Sequence, residues 1–446
     1  MGADRERESP VNGILEIYAD EIHAGTLFGQ GNSISGSSTF AYAGEWLSRP
    51  DAYPLSPDIP LNEKSAHFYG DPQMPGAIAD AGPDSWGKRL IHATHRGKEM
   101  SEFDIIAAVD DRLRMGNLRI YSDGQPVALK VDPLPSLDAA LQAAEYAGNL
   151  DAMTDDQLKL VADAGSSLGG ARPKVNVNDQ DFGLSILKFP RRHEDDDTEA
   201  WEFVALSCAN QAGIPTPERR HLRVDDFNSA LLVKRFDREN NRRIGYISAR
   251  SALSLRANDS YSYEELANKI DILCVDPEKN KRSLFDRIAL SIIFDNVDDH
   301  MRNHGFLREK DGWALSPAFD ITPQWQGWRT DATPIAYGQS GFNRTLEQLE
   351  KSSEKLGIPR QEAKQRIAAV ADACSNFMQI AKDLGIAYID ESNMAKNISK
   401  KIEEAAPLAV SVPKRKETPP PGKIWVKEHY RGGKLVPGYW RTAPNR

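Results

Sequence analysis

The pattern of apolar and polar positions divides the chain into a strand-rich first part and a helical last part. Residues 14–18 alternate as in a half-buried strand, and glycine and proline interrupt the chain often before about residue 133. Two short helices are predicted at 84–91 and 103–109. We therefore predict a small α+β domain over residues 1–135.

A second unit is predicted over residues 136–240. An Ala-rich helix opens it, and strands are predicted at 182–190, 221–224 and 229–236. Between the first two strands, Asp197 or Thr198 is placed to cap a helix with an apolar stripe. This pattern predicts a β-rich lobe with one prominent helix.

Long amphipathic segments dominate residues 241–410 and predict an all-α lobe. Its helices are predicted at 283–297, at 345–384 with a break at 357–359, and at 391–405. Residues 411–446 begin as a Pro-rich linker and end in two alternating runs across Gly432-Gly433, which predict a β-hairpin.

Composition restricts the partners and the compartment. The formal charge of −9 argues against a chain that coats DNA by itself, because phosphate neutralisation needs clustered Lys and Arg. Cys208, Cys274 and Cys374 lie in apolar stretches and favour reduced core thiols over disulfides or zinc. Neither a signal peptide nor a membrane span is evident, so we expect a cytoplasmic protein without a membrane partner.

Small residues between a helix and a strand form a candidate phosphate loop. Glycines let backbone N–H groups approach phosphate oxygens, and flanking hydroxyls and a lysine add donors. The pattern is neither GxxxxGK[ST] nor GxGxxG, and a plain tight turn remains an alternative. The residues we assign to this loop are Ser166, Ser167, Gly169, Gly170, Ala171 and Lys174.

The next strand and helix add a candidate ion pair. Lys188 falls on the inward face of its strand, where a buried ammonium needs a compensating anion. Glu202 on the following helix is the candidate, and Glu199 is its rival. The strand after them, which leads to Lys234 and Phe236, could be a hinge whose backbone holds adenine.

Three polar residues further along would suit metal-assisted phosphoryl transfer. Asp298 is followed five residues later by Asn303, and Asp320 follows after an apolar interval. Kinases use this arrangement of one base and two metal ligands, and the loop, lysine and glutamate precede it in kinase order. Turn chemistry alone also favours Asp and Asn in loops.

With these parts in sequence, residues 11–405 resemble the HipA-type toxin kinases, serine/threonine kinases of bacterial type II toxin–antitoxin pairs. The segments that carry the likeness are 42–47, 83–87, 103–108, 167–174, 187–190, 235–238, 298–303 and 317–323. The resemblance implies a protein-kinase-like bilobal α+β fold with a small N-terminal domain, a β-rich N-lobe and a helical C-lobe.

The same resemblance implies roles for residues and partners. Asp298 would be the catalytic aspartate, Asn303 and Asp320 would hold Mg²⁺, and Lys188 would contact ATP phosphates. Ser167, or its neighbour Ser166, would be an inhibitory autophosphorylation site. A HipB-like helix-turn-helix antitoxin would be the partner, with DNA reached only through it, and an aminoacyl-tRNA synthetase would be the protein substrate.

Other interpretations stay open at this point. His300 and His304 could serve a metal-dependent hydrolase, although Met301 stands where the zincin motif needs Glu. A calcium loop fits less well, because the alternate-acid ladder is broken. We expect His300 to brace the catalytic loop instead. A non-catalytic corepressor that keeps the kinase fold and acts through a DNA-binding antitoxin is the main alternative function.

Overall fold

A computed structural model describes most of the chain. The described residues are 13–405, without 31–35, 96–99, 130–132, 148–152, 171, 191–195, 241, 324–331 and 342–343, together with 423–426, 429–431, 434–436 and 439–442.

The first part of the chain folds around a six-stranded antiparallel sheet in the order β4-β3-β2-β1-β5-β6. Alternation along β1 places Leu15 and Ile17 in the core at 0% exposure, as the sequence pattern predicted. The strands are β1 Ile14–Ala19, β2 Ile22–Gln30, β3 Ser37–Tyr42, β4 Ala66–Tyr69, β5 Leu118–Ser122 and β6 Gln125–Pro126.

Four short helices accompany this sheet: α1 Gly44–Leu47, α2 Gly76–Asp80, α3 Ser85–Thr94 and α4 Glu102–Ala107. The helices predicted at 84–91 and 103–109 correspond to α3 and α4. Ser101 and Asp104 form a capping box that fixes the start of α4.

The β-rich lobe begins with two helices and a four-stranded antiparallel sheet in the order β7-β8-β10-β9. Its elements are α5 Leu137–Ala147, α6 Asp155–Gly165, β7 Lys174–Asp179, β8 Gly183–Lys188, α7 Thr198–Gln211, β9 Arg219–Arg223 and β10 Ser229–Lys234. The Asp197 side chain caps α7 by accepting from the backbone N–H of Ala200, as predicted.

The core of this lobe also takes in part of the N-terminal segment. Trp86 and Leu90 of α3 belong to the same buried cluster as Val161, Val175 and Leu187. Most of the other buried side chains, from β1 through to α14, form one continuous cluster. The N-terminal segment is therefore packed into both lobes.

The last lobe is predominantly helical. Its helices are α8 Ala249–Ala252, α9 Tyr263–Leu273, α10 Pro277–Ile293, α11 Leu346–Ser352, α12 Arg360–Ala373, α13 Phe377–Asp383 and α14 Asn393–Ala405. Thr345 and Gln348 form the predicted capping box of α11. The predicted break at 357–359 is present, where a left-handed Gly357 and Pro359 separate α11 from α12. A second interruption, at 374–376, separates α12 from α13.

Short strands add to the predicted helical architecture. β11 Arg238–Glu239 pairs with β12 Arg242–Arg243, and β13 Tyr246–Ser248, β14 Gly305–Arg308 and β15 Trp313–Leu315 form a three-stranded sheet. The segment 294–304 connects α10 to β14.

The C-terminal tail contains the predicted hairpin. β17 His429–Arg431 pairs with β18 Lys434–Val436, and a second pair joins β16 Lys423–Val426 to β19 Tyr439–Thr442. The predicted Pro-rich linker lies outside the described residues.

The three cysteines are buried free thiols, as the sequence indicated. Among the described helices none is long and apolar enough to cross a bilayer.

Candidate active site

A cleft of about 560 Å³ lies where the two lobes and the N-terminal segment meet. Most of the predicted site residues contribute to its walls, although they come from distant parts of the chain. They are Gly169, Gly170, Lys174, Lys188, Glu202, Lys234, Phe236, Asn303 and Asp320.

Lys188 is the electrostatic centre of the cleft. Its Nζ donates to both carboxylate oxygens of Glu202, at 2.7 and 2.8 Å, and to Oδ1 of Asp320 at 2.6 Å. Burial opposes the ammonium charge, but Asp320 and Glu202 outweigh it and raise the pKa of Lys188 above its ordinary value. The lysine therefore stays charged inside the protein.

Of the two candidate glutamates, Glu202 is the partner of Lys188. Both side chains are buried on α7, at 4% and 2% exposure, so burial does not distinguish them. Glu199 instead accepts from the guanidinium of Arg172, with an ion-pair distance of 3.1 Å. Although the two glutamates lie only three positions apart on α7, they pair with different cations.

Lys174 supplies a second ammonium on the same face of the sheet. It lies directly opposite Lys188 in the β7–β8 register, and opposite residues of an antiparallel pair share a face. Burial lowers its pKa, although Asp320 acts in the opposite direction. Two cations and one ionised Asp320 form a wall suited to phosphate oxygens.

Asp320 is held in an uncommon backbone conformation. Its φ of +58° lies in the left-handed region. Residues other than glycine are uncommon there, and Asn and Asp adopt it more readily than the rest. Its backbone N–H donates to Oε1 of Glu202 at 3.1 Å, which helps to fix this geometry. Burial alone would raise the pKa of Asp320, but Lys188 and Lys174 lower it well below its usual range.

Asp298 and Asn303 lie on one loop between α10 and β14. The Asp298 side chain is 53% exposed, and burial, the largest cause, raises its pKa, as does the nearby Asp320. Asn303 donates from Nδ2 to the Asp298 backbone carbonyl at 2.8 Å, so its amide oxygen is not used in that bond. An accessible carboxylate is what a group that meets a substrate hydroxyl requires.

Asp299 anchors this loop, a role that the sequence analysis missed. It accepts from Ser291 Oγ at 2.6 Å and from the Tyr263 hydroxyl, and it lies 2.7 Å from His304 Nε2 and 3.5 Å from Arg344 Nη1. Against the effect of burial, His304 and Arg344 hold its pKa well below the usual range.

His304, rather than His300, braces the loop, so the prediction for His300 is wrong. His300 Nε2 lies 4.0 Å from Asp298 and its Nδ1 has no hydrogen-bond partner among the described residues. His304 is engaged with Asp299. Within the described part of the chain, no three His, Cys, Asp or Glu side chains cluster as a metal site, which the hydrolase alternative would need.

Phe236 and Lys234, which the sequence placed at a possible hinge, both line the cleft. Lys234 Nζ forms an ion pair with Glu218 at the surface. The Phe236 ring lies 5.4 Å from that of Phe319, centroid to centroid, beside Asp320. Two aromatic rings beside the charged groups suited to phosphate form a surface on which a nucleotide base could stack.

Comparison with known proteins decides the family. The model of the HipA-like C-terminal domain matches residues 166–379, and that of the HipA N-terminal domain matches residues 15–121. The chain belongs to the HipA family. A search of curated protein sequences gives no match to this HipA-family chain.

The fold of this HipA-family chain is similar to that of a HipA of solved structure. A Shewanella oneidensis HipA, solved in complex with HipB and operator DNA, matches at 16% identity and a TM-score of 0.62, covering 89% of this chain and 96% of that one. The Helicobacter pylori proinflammatory kinase CtkA matches at 16% identity and a TM-score of 0.40, covering 54% of this chain and 93% of that one.

Both candidate serines of the HipA-family loop are buried. Ser166 and Ser167 are each 4% exposed, and Asn176 Nδ2 donates to Ser167 Oγ at 3.0 Å. Ser166 Oγ has no hydrogen-bond partner among the described residues. Neither serine is among the residues that line the cleft, and Ala171 lies outside the described residues. In this conformation the loop presents glycines, not hydroxyls, to the cleft.

The residues predicted to hold Mg²⁺ fit that ion. Magnesium takes oxygen donors, typically one or two protein groups completed by water and phosphate. Asn303 and Asp320 both line the cleft, and Asp320 is kept ionised by its lysine neighbours. When bound, the ion would neutralise charge on the β- and γ-phosphates.

Proposed function

We propose that this HipA-family chain is the toxin kinase of a toxin–antitoxin pair, which uses ATP and Mg²⁺ to phosphorylate protein serine or threonine. The observation that carries the proposal is the triad of Lys188, Glu202 and Asp320 in a cleft next to Gly170. In a kinase, the strand lysine holds nucleotide phosphates and the helix glutamate orients it. The 2.6–2.8 Å contacts of Lys188 support these two roles.

The remaining residues divide the chemistry between binding and proton handling. Backbone N–H groups near Gly169 and Gly170 and the ammonium of Lys174 would cradle phosphates. Asp298 would orient the acceptor hydroxyl and take its proton as the oxygen attacks the γ-phosphorus and the bond to ADP breaks. Its half-exposed carboxylate supports this role, because the acceptor must reach it from solvent.

The Shewanella HipA was solved with HipB and operator DNA, and this supports a similar antitoxin partner here. A net charge of −9 fits a protein that reaches DNA through such a partner. The family resemblance suggests an aminoacyl-tRNA synthetase as the substrate. It also suggests inhibitory autophosphorylation of Ser166 or Ser167, whose product could not share the cradle of ATP phosphates.

Transfer of labelled phosphate from ATP tests the proposal. We expect wild type to become labelled or to label a bacterial extract, and Asp298→Asn to lose this activity. Equal labelling of both proteins would refute the assignment of Asp298. If wild type gives no labelling, and mass spectrometry shows that Ser166 and Ser167 are unmodified, the non-catalytic corepressor is favoured.

A further inference from the structure

The first turn of α3, in the N-terminal segment, is hydrogen-bonded to the glycine-rich loop. The backbone N–H of Trp86 donates to the Gly170 carbonyl at 2.9 Å, and that of Gly87 donates to the Leu168 carbonyl at 3.2 Å. Ser85 Oγ adds a bond of 2.9 Å to the Gly170 carbonyl. Three donors of one helical turn therefore hold two carbonyls of the loop.

These bonds replace the usual cap of α3. The first backbone N–H groups of a helix have no partner within the helix and are normally satisfied by a side chain of the N-cap residue. Asp84 occupies the N-cap position of α3 but makes no such bond. The loop carbonyls do so instead, so that moving the loop would leave donors of α3 without a partner.

Side-chain packing reinforces the grip. Trp86 is 1% exposed, and its Nε1 donates to the backbone carbonyl of Lys174 at 2.8 Å, at the end of the loop. Gly165 allows this approach, since a Cβ there would lie 2.9 Å from the Lys174 carbonyl oxygen and 3.3 Å from Trp86 Nε1. Both ends of the loop are thus fixed against α3.

The same helix end also contacts the opposite wall of the cleft. Asp84 Oδ2 lies 3.7 Å from Nε of Arg302, on the loop that carries Asp298 and Asn303. This pair is partly exposed and adds little stability by itself. It nevertheless links α3 to the catalytic loop, so one helix end contacts both halves of the site.

We propose that the first turn of α3, residues 85–87, is a latch that positions the glycine-rich loop for nucleotide. Trp86 and Gly87 are positioning residues that act through the loop. The nucleotide part of this inference rests on the proposed kinase function, whereas the latch itself does not.

Gly87→Ala is the sharpest perturbation. A Cβ at this position would lie 2.5 Å from the Ser166 carbonyl oxygen, 2.6 Å from Pro83 Cβ and 2.9 Å from the Leu168 carbonyl oxygen, so α3 and the loop must move apart. Gly44→Ala is the matched control, because a Cβ there meets no atom within 4 Å. Ser85→Ala removes a single latch bond without adding bulk.

Hydrogen–deuterium exchange of residues 165–175 without nucleotide tests the latch independently of catalysis. We expect about tenfold faster exchange in Gly87→Ala and a smaller acceleration in Ser85→Ala, with wild-type rates in Gly44→Ala. If circular dichroism shows that Gly87→Ala does not fold, Ser85→Ala decides the matter. Wild-type exchange of this segment in the folded latch variants would overturn the proposal.

Kinetics then tests the link to nucleotide. In Gly87→Ala the KM for ATP should rise several-fold while kcat changes less. Faster exchange with an unchanged KM would overturn the positioning role. If wild type shows no kinase activity but hydrogen exchange of residues 165–175 is faster in Gly87→Ala, the kinase proposal is refuted and the latch remains supported.

Discussion

Asp298 and Asp299 are neighbours in sequence with opposite environments, and replacing each by Asn separates chemistry from stability. Asp298 has a half-exposed carboxylate whose pKa is raised by burial. Asp299 is 4% exposed and bonded to Tyr263, Ser291 and Arg344, which come from three other segments. The same substitution should therefore give opposite results at the two positions.

The expected loss of stability in Asp299→Asn follows from the groups that the missing carboxylate would leave unpaired. An Asn at this position cannot compensate the buried guanidinium of Arg344, whose side chain is only 6% exposed. Breaking a buried ion pair by removing one partner costs about 3–5 kcal/mol of unfolding free energy. Asn keeps part of the hydrogen bonding to His304 and Ser291, so we expect a loss of about 3 kcal/mol.

Asp298→Asn should change the unfolding free energy by less than about 0.5 kcal/mol. The Asp298 side chain is half-exposed, and the structure describes no side-chain hydrogen bond that the substitution would break. A raised pKa means that the fold disfavours its charge, so any change should be stabilising. Its phosphoryl transfer should nevertheless be abolished.

Urea unfolding followed by tryptophan fluorescence measures the first quantity, and labelling from ATP measures the second. The pH dependence gives an independent check at Asp299. Because its folded pKa lies below the unfolded value of about 3.9, its stabilisation is present above that pH and is lost as the pH falls. Asp299→Asn should lack this loss. Equal stability of the two variants at neutral pH would refute the anchoring role.

Three further outcomes are expected. Glu202→Ala should abolish nucleotide binding in a filter assay, whereas Glu199→Ala, which faces Arg172 rather than Lys188, should retain most of it. Burial alone would raise the pKa of Asp237, but its arginine partners lower it to about 2. As the pH falls from about 5 to about 2, wild type should therefore lose roughly 2 kcal/mol of unfolding free energy, and Asp237→Asn should not show this loss. Thr345→Ala removes the cap of α11 and should cost about 1 kcal/mol in urea unfolding.

Much of the site could be predicted because each residue type has a local reason to occur where it does. A lysine on the buried face of a strand demands an anion, and Glu202 lies on the next helix along the chain. The sequence favoured Glu202 over Glu199 but could not exclude Glu199, since both are buried on α7 and their cations come from separate segments. Helical caps at Asp197 and Thr345 were predictable because they depend on neighbours in sequence.

The anchoring of the catalytic loop was not predictable in the same way. Asp299 gains its importance from Tyr263, Ser291 and Arg344, which lie 36, 8 and 45 residues away. No short spacing records such contacts. The left-handed φ of Asp320 is likewise invisible in sequence, because the surrounding structure decides which residue adopts this conformation.

The N-terminal segment is best understood as part of the cleft rather than as an appended domain. Beyond α3, the Asp80 carboxylate accepts from the backbone N–H of Ser248 at 2.6 Å, and Asp237 accepts from the backbone N–H of Gly116 at 2.8 Å. Arg235, 3% exposed, donates to the carbonyl of Leu113 at 2.7 Å. These bonds are buried or partly buried and connect the segment to the hinge and to the helical lobe. Their loss would leave charged or polar groups unsatisfied, so the segment is required for the geometry of the cleft itself.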